Sequence, residues 1–194
     1  MKFIIGLIIG ICIPAAAAFC YFRLGYAPVA TSSAPMPFET TMARMALKSR
    51  ITKEAPKSSP IQPTEENLTA GAKVYTDNCA FCHGWPGQAA SKAAKGMFPL
   101  PPQLLTPDEM VTDDPVGITY WKVKNGIRMT GMPGFGEMLS DNEMWQVSEM
   151  LKNANKLPPA TMAALQKLPT PPAEQQGQQQ PQPQPSKGRL TKKK

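Results

Sequence analysis

The chain opens with a long apolar run that contains no charged residue. This run covers residues 3–22, with Lys2 before it and Arg23 after it. A helix of that length, at ~1.5 Å per residue, spans the ~30 Å hydrocarbon core of a bilayer. The pattern therefore predicts an N-terminal transmembrane anchor within residues 1–23. A cleaved signal peptide is the competing interpretation, because small residues occupy positions 16–18, but the apolar run continues beyond them.

Apolar positions recur at helical spacing within residues 64–157, and each periodic stretch follows a residue that can cap a helix. In the first stretch Leu68, Ala72 and Tyr75 share one face, and no stretch shows the alternation of a strand. Capping residues and a Pro at the first helical position mark helix starts, whereas Asn-Gly and Pro-Pro pairs mark ends. The segment is predicted to be all-α, with about four short helices that start at Thr64, Thr106, Asp114 and Ser140.

Pro-rich segments lie on both sides of this helical unit. Residues 24–63 have the Pro, Ser and Thr content of a spacer. Within the spacer, residues 41–54 fit a short amphipathic helix, although a solvated tether or a basic face lying on anionic lipid fits the same pattern. Residues 158–194 are rich in Pro and Gln and end in Lys and Arg. They lack the apolar residues that would offset conformational entropy, so a disordered basic tail is expected.

The excess positive charge lies outside the helical unit. The full sequence of 194 residues has a net charge of +7. Residues 1–63 hold 7 basic and 2 acidic side chains, residues 64–157 hold 8 and 11, and residues 158–194 hold 6 and 1. The helical unit is therefore mildly acidic. This distribution argues against a nucleic-acid partner and favours a partner protein with a basic docking face.

The predicted first helix ends in the sequence Cys79-Ala80-Phe81-Cys82-His83, which is the attachment pattern of c-type haem. Two thiols three positions apart on a helical turn reach the two vinyl-derived carbons of one porphyrin. The adjacent imidazole then lies beneath the iron. The spacing thus fixes the ring and one iron ligand together.

Three other interpretations of the cysteine pair are weaker. A thioredoxin-like pair belongs in a βαβ setting, which the pattern lacks. A zinc site needs two further Cys or His ligands, but the sequence has a single His, and its other cysteines, Cys12 and Cys20, lie in the predicted anchor. A plain disulfide gives no role to His83. The motif therefore favours one covalently attached haem c.

The second axial position of the iron needs a ligand other than histidine. Among the methionines, Met132 differs because it lies in a Gly-Met-Pro-Gly segment that is not helical and whose glycines let the backbone run close to a flat ring. Most of the other methionines are explained by core filling. Met132 is the predicted distal ligand, and Met129 is the second candidate.

Residues 64–157 as a whole resemble the class I cytochrome c family, and in particular its single-domain, membrane-anchored bacterial members. The anchor, the long spacer and the Pro- and Gln-rich tail are not part of the family pattern. The resemblance rests on Gly71, Tyr75, residues 79–84, residues 125–133, Leu139-Ser140-Asp141 and Trp145.

This resemblance implies thioether bonds at Cys79 and Cys82, His83 as the proximal ligand and Met132 as the distal ligand. It implies a cytochrome c-like domain in which the first and last helices cross. It also implies a proline carbonyl that orients the proximal imidazole, for which Pro102 is the matching residue.

The function implied is that of a one-electron carrier in a respiratory chain, and not of an enzyme. Its partners would be redox proteins such as a dehydrogenase or a terminal oxidase, with no small-molecule substrate. One alternative is a haem subunit permanently docked in a larger dehydrogenase or oxidase complex. Another is a haem enzyme or sensor with a displaceable methionine, which would need a distal acid–base residue although the sequence has no second histidine.

The charges beside the anchor and the expected haem attachment indicate opposite orientations. Lys2 stands alone before the anchor, whereas Arg23 and further basic residues follow it, which favours a cytoplasmic haem unit. The resemblance implies attachment of the haem outside the cytoplasm, and this decides the prediction. We expect a single-pass protein of the bacterial cytoplasmic membrane with its haem domain on the periplasmic side.

Overall fold

The structure is a computed structural model that describes residues 2–106 and 111–166. Every regular element in this part of the chain is helical, in agreement with the all-α prediction. The helices are α1 (Lys2–Arg23), α2 (Glu39–Glu54), α3 (Glu65–Asn78), α4 (Ala80–His83), α5 (Lys92–Lys95), α6 (Val116–Asn125), α7 (Asp141–Lys152) and α8 (Pro159–Gln166), with a 3₁₀ turn at Ala154–Lys156 between the last two.

The N-terminal helix α1 is apolar along its whole length and none of its residues is buried. It is long and hydrophobic enough to cross a membrane, as the apolar run predicts. Length and composition are equally compatible with a signal sequence near the N-terminus. The helix is therefore compatible with membrane anchoring.

The core lies where α3 crosses α7. Thr64 caps α3 through its hydroxyl, and Ser140 opens α7 with a complete capping box formed with Glu143, so both predicted starts are confirmed. At the crossing, a Cβ on Gly71 would lie 2.1 Å from the backbone oxygen of Gln146. Only glycine therefore allows the two helix backbones to approach this closely.

Helix α6 packs against α7 and ends at the predicted Asn-Gly pair. The expectation that Asp114 caps α6 is wrong. Pro115 occupies the cap position in an extended conformation and no side chain caps the helix, although the helix itself begins at Val116 as predicted. Asp114 instead pairs with Lys122 at 3.3 Å. The short helix predicted at residues 106–109 lies largely outside the described residues.

The spacer contains a helix, α2, that packs on α6. Ile51 of α2 is 6% exposed, and the Trp121 indole nitrogen donates a hydrogen bond to a Glu54 carboxylate oxygen at 3.1 Å. The short helix predicted for residues 41–54 therefore forms. Its buried contact is made by Ile51, whereas Met42 and Met45 of the predicted apolar face are each 62% exposed.

The predicted disordered tail, residues 158–194, begins with an ordered helix. Helix α8 packs on α3, and its Thr161 and Leu165 have no exposed surface. Pro159 is the first residue of α8, a position where a missing N–H costs nothing. The expectation that the Pro-Pro pair ends the preceding helix is wrong, because α7 already ends at Lys152. The prediction of disorder is wrong for residues 159–166, and residues 167–194 lie outside the described part of the chain.

Candidate functional site

An apolar cavity of about 260 Å³ lies between α3, α4, α6 and the loops that follow α5 and α6. The cavity is partly open to solvent, and a concave, mainly apolar site of this kind is a candidate for binding a ligand. Most of its lining is aliphatic or prolyl. The structure also brings to it the four predicted site residues, Cys79, Cys82, His83 and Met132.

The cysteine–histidine motif directly follows α3 and forms the short helix α4. The buried hydroxyl of Tyr75 donates hydrogen bonds to the backbone oxygens of His83, at 3.1 Å, and Gly84, at 2.8 Å. Desolvation raises the pKa of Tyr75 far above its ordinary value, so the phenol remains a neutral donor. These bonds fix the end of α4 to α3 and thereby position the imidazole at the cavity.

The imidazole of His83 is oriented by a backbone carbonyl. Its Nδ1 lies 2.8 Å from the carbonyl oxygen of Pro102, the residue expected to play this part. A carbonyl can only accept, so Nδ1 carries the proton and Nε2 carries the lone pair suited to a metal ion. The backbone oxygen of His83 accepts in turn from the Leu104 amide at 3.2 Å. The loop around Pro102 therefore sets both the tautomer and the direction of the ring.

Neither Cys79 nor Cys82 forms a disulfide within the described residues. Burial raises the pKa of the Cys79 thiol to about 12, and the charge of nearby Cys82 adds to the shift. At neutral pH this thiol stays protonated, whereas thiol–disulfide exchange requires a thiolate. The buried Cys79 thiol is therefore poorly suited to act as a free nucleophile at neutral pH.

The loop after α6 brings Met132 to the cavity. The Ile127 amide donates to the Met132 carbonyl at 3.2 Å, and the Met132 amide donates to the Thr130 hydroxyl at 3.1 Å. Gly126 has a φ of 67°, and a Cβ there would lie 2.5 Å from the amide nitrogen of Gly134. Glycine is therefore required where the returning loop passes the end of α6.

Of two other methionines, one lies away from the cavity and the other shares it with Met132. Met129, the second candidate, is 90% exposed and does not line the cavity. Met97 does line it, and its sulfur would lie 3.1 Å from a Cβ on Gly131. Our sequence reasoning missed Met97, although its Gly-Met-Phe-Pro setting resembles the Gly-Met-Pro-Gly setting of Met132.

A polar and aromatic cluster ties α6 to α7 on either side of the Met132 loop. The rings of Tyr120 and Trp145 stack with centroids 4.0 Å apart. The Tyr120 hydroxyl donates to Asp141 and accepts from the Lys124 ammonium at 3.0 Å. The hydrogen bond from Tyr120 lowers the pKa of the Asp141 carboxyl, while burial and this carboxylate raise the pKa of Tyr120. The cluster thereby holds the two ends of the loop together at neutral pH.

Replacing Tyr75 with Phe tests how α4 is held. The variant removes the donor to two backbone oxygens while keeping the ring, so we expect the free energy of unfolding to fall by about 1–2 kcal/mol. Urea denaturation measures it, and Tyr26→Phe, at a residue that is 70% exposed, is the matched control. Equal stability of the two variants would show that the Tyr75 hydrogen bonds contribute nothing.

Comparison with known proteins supports the family suggested by the motif. Residues 66–150 match the family described as cytochrome c oxidase, cbb3-type, subunit III. The chain is also 32% identical over 149 residues to the cytochrome c subunit of the quinone alcohol dehydrogenase of Gluconobacter oxydans (strain 621H). That alignment covers 62% of this chain and 30% of the relative, so the chain spans less than a third of the relative's length.

The matched region contains the cysteine–histidine motif, the Met132 loop and all but the last residues of α7. The cavity that it encloses has the apolar lining, the paired thiols and the oriented imidazole that a covalently bound haem requires. The residues present thus fit the cofactor of the family. Both comparisons support a c-type cytochrome domain over residues 66–150, with covalently bound haem c and a role in electron transfer.

Proposed function

We propose that Cys79 and Cys82 carry the haem through thioether bonds, and that His83 Nε2 and the sulfur of Met132 are its two axial ligands. The observation that carries this proposal is the convergence of all four side chains on one apolar cavity, from α4 on one side and the Met132 loop on the other. The Pro102 carbonyl supports the assignment of His83, because it accepts a hydrogen bond from Nδ1–H and so leaves the lone pair on Nε2.

Bound haem supplies a one-electron couple between ferric and ferrous iron. The chain's own residues set how readily the electron is taken up. A thioether ligand and an apolar wall both stabilise the ferrous state, which raises the reduction potential. With both axial positions filled by His83 and Met132, no coordination position remains for a substrate. The site is therefore suited to electron transfer and not to catalysis at the iron.

We further propose that α1 anchors the chain in the cytoplasmic membrane, with the haem domain on the outer side. The length and hydropathy of α1 support the anchor. The relative supports a dehydrogenase as electron donor, because it is itself the cytochrome c subunit of a quinone alcohol dehydrogenase. In a protease-protection experiment on spheroplasts, loss of the haem domain supports this orientation, and its survival would reverse it.

Two modes of action fit this donor: a tethered carrier that visits its partners, and a subunit that remains docked in a dehydrogenase complex. Mild detergent extraction followed by affinity purification of the full chain separates them. A stoichiometric dehydrogenase or oxidase in the eluate identifies the docked subunit. Purification of the haem protein alone, with rapid reduction when a donor is added back, identifies the carrier.

Replacing Met132 with Ala tests the distal ligand. We expect the weak charge-transfer band of Met-ligated ferric haem, at the red end of the spectrum, to disappear and the reduction potential to fall, because the thioether is lost. Visible absorption of the ferric protein and a redox titration measure these effects. The matched control is Met129→Ala, whose side chain is outside the cavity. Persistence of the band in the Met132 variant would show that another residue is the ligand, and Met97 would be the next residue to test.

A further inference from the structure

Helix α2 lies outside the region that matches the cytochrome family, residues 66–150, yet it contributes to the haem cavity. We propose that α2 is a fixed lid on this cavity, and that its Leu47 excludes water from the haem and so helps to set the reduction potential. The inference rests on the proposed function, because it assigns Leu47 a part in the same haem site.

Leu47 is the residue of α2 that lines the cavity, together with the side chains of α6 and the Met132 loop. One helical turn further on, Ile51 is 6% exposed. The two residues are four positions apart and therefore lie on the same face of α2. Met42 and Met45, each 62% exposed, lie away from this buried face. The helix thus presents one aliphatic side to the cavity and to α6.

Two contacts with α6 hold the lid in place, one at the last residue of α2 and one just after it. The Trp121 indole donates to Glu54 at 3.1 Å, and Glu54 is further fixed by an ion pair with Arg50 at 2.7 Å. After the helix, the chain packs so closely on α6 that a Cβ on Gly117 would lie 1.8 Å from the Pro56 backbone oxygen. Gly117 is the second residue of α6, and its missing side chain makes room for the chain that follows the lid.

The docked lid also shortens the tether. From the end of α1 to the start of α2 there are 15 residues, 24–38, instead of the 40 residues of the predicted spacer, 24–63. A flexible chain of 15 residues spans on the order of 20 Å. With α1 in the membrane, the haem domain is therefore held close to the bilayer surface. A lid joined to a short tether also keeps one edge of the cavity in a defined position relative to the anchor.

The experiment uses the full haem-loaded chain in detergent and reads two quantities: the reduction potential, and hydrogen exchange of the α2 amides. Leu47→Gln puts a polar group at the cavity wall, so we expect a negative shift in potential while α2 remains protected. Met45→Gln, the same kind of change on the exposed side of α2, is expected to shift neither quantity.

Gly117→Ala tests the lid from the other side. The added methyl cannot coexist with the Pro56 oxygen, so we expect the α2 amides to lose their protection and the potential to shift in the same negative direction. Leu47→Gln added to Gly117→Ala should then cause no further shift, because the lid is already displaced.

The outcomes distinguish the lid from the haem site on which it rests. Release of α2 in Gly117→Ala without a change in potential would overturn the lid, and so would unprotected α2 amides in the haem-loaded wild-type chain. Protection of α2 that survives Gly117→Ala would show that the Pro56 contact does not hold it. A wild-type chain without covalent haem would overturn the proposed function itself.

Discussion

A chain in which Cys79 and Cys82 are both replaced by Ala is expected to contain no covalently bound haem and to be poorly folded. The folded unit is small and its core is modest, so a covalently held porphyrin supplies much of the apolar surface that the protein buries. Without the thioether bonds, the cavity of about 260 Å³ loses its permanent occupant, and its apolar lining is left exposed to water. Haem staining of a denaturing gel measures attachment, and circular dichroism during urea unfolding measures stability.

The chain provides its own matched control for this prediction. Cys12 and Cys20, its two other cysteines, lie exposed on α1, so their double replacement by Ala should leave haem content and unfolding unchanged. Each single variant at Cys79 or Cys82 should retain one thioether and an intermediate stability. Covalent haem in the Cys79→Ala, Cys82→Ala double variant would refute the assignment of the attachment site.

The sequence predicts those parts of this protein that depend on local chemistry. Thr64 and Ser140 cap their helices because a side-chain oxygen and a backbone amide three residues on are enough to form a cap. The cysteine–histidine motif identifies the cofactor because its spacing alone matches the porphyrin and the iron. Both kinds of signal lie within a few consecutive residues, and no distant contact is needed to interpret them.

Long-range packing decides the features that the sequence does not predict. Nothing in the sequence of α2 indicates that this helix and the residue pair after it pack against Gly117 and Trp121, which lie more than 60 positions away. Similarly, α8 packs on α3 and buries Thr161 and Leu165. Its own sequence, PATMAALQ, consists largely of helix formers, but the Pro- and Gln-rich segment around it led to the prediction of disorder. Among the methionines, the sequence ranks Met132 above Met129, and Met132 is the one that lines the cavity; that Met97 also lines it depends on the fold and was not predicted.

The crossing of α3 and α7 gives the largest expected effect on stability from a single methyl group. In Gly71→Ala the new Cβ would lie 2.1 Å from the Gln146 oxygen and 2.5 Å from its carbonyl carbon. These are backbone atoms within a helix, so α7 as a whole must move away from α3. Such overpacking costs up to about 3 kcal/mol, and the better helix propensity of alanine returns about 1 kcal/mol. We therefore expect a net loss of about 2 kcal/mol in the free energy of unfolding.

For a domain of this size, that loss corresponds to a Tm lower by roughly 10 °C, which a thermal unfolding curve of the haem-loaded chain resolves. Gly96→Ala is the matched control, because a Cβ there would lie 3.5 Å from its nearest neighbour, an ordinary contact. A wild-type Tm in the Gly71 variant would mean that the helices cross with more space than the structure shows.

The displacement of α7 should also affect the haem site, because α3 and α7 hold the cysteine–histidine motif and the Met132 loop at their ends. A weaker Met–iron band in Gly71→Ala, alongside the lower Tm, would show that the helix crossing maintains the distance between the two proposed ligands, His83 and Met132.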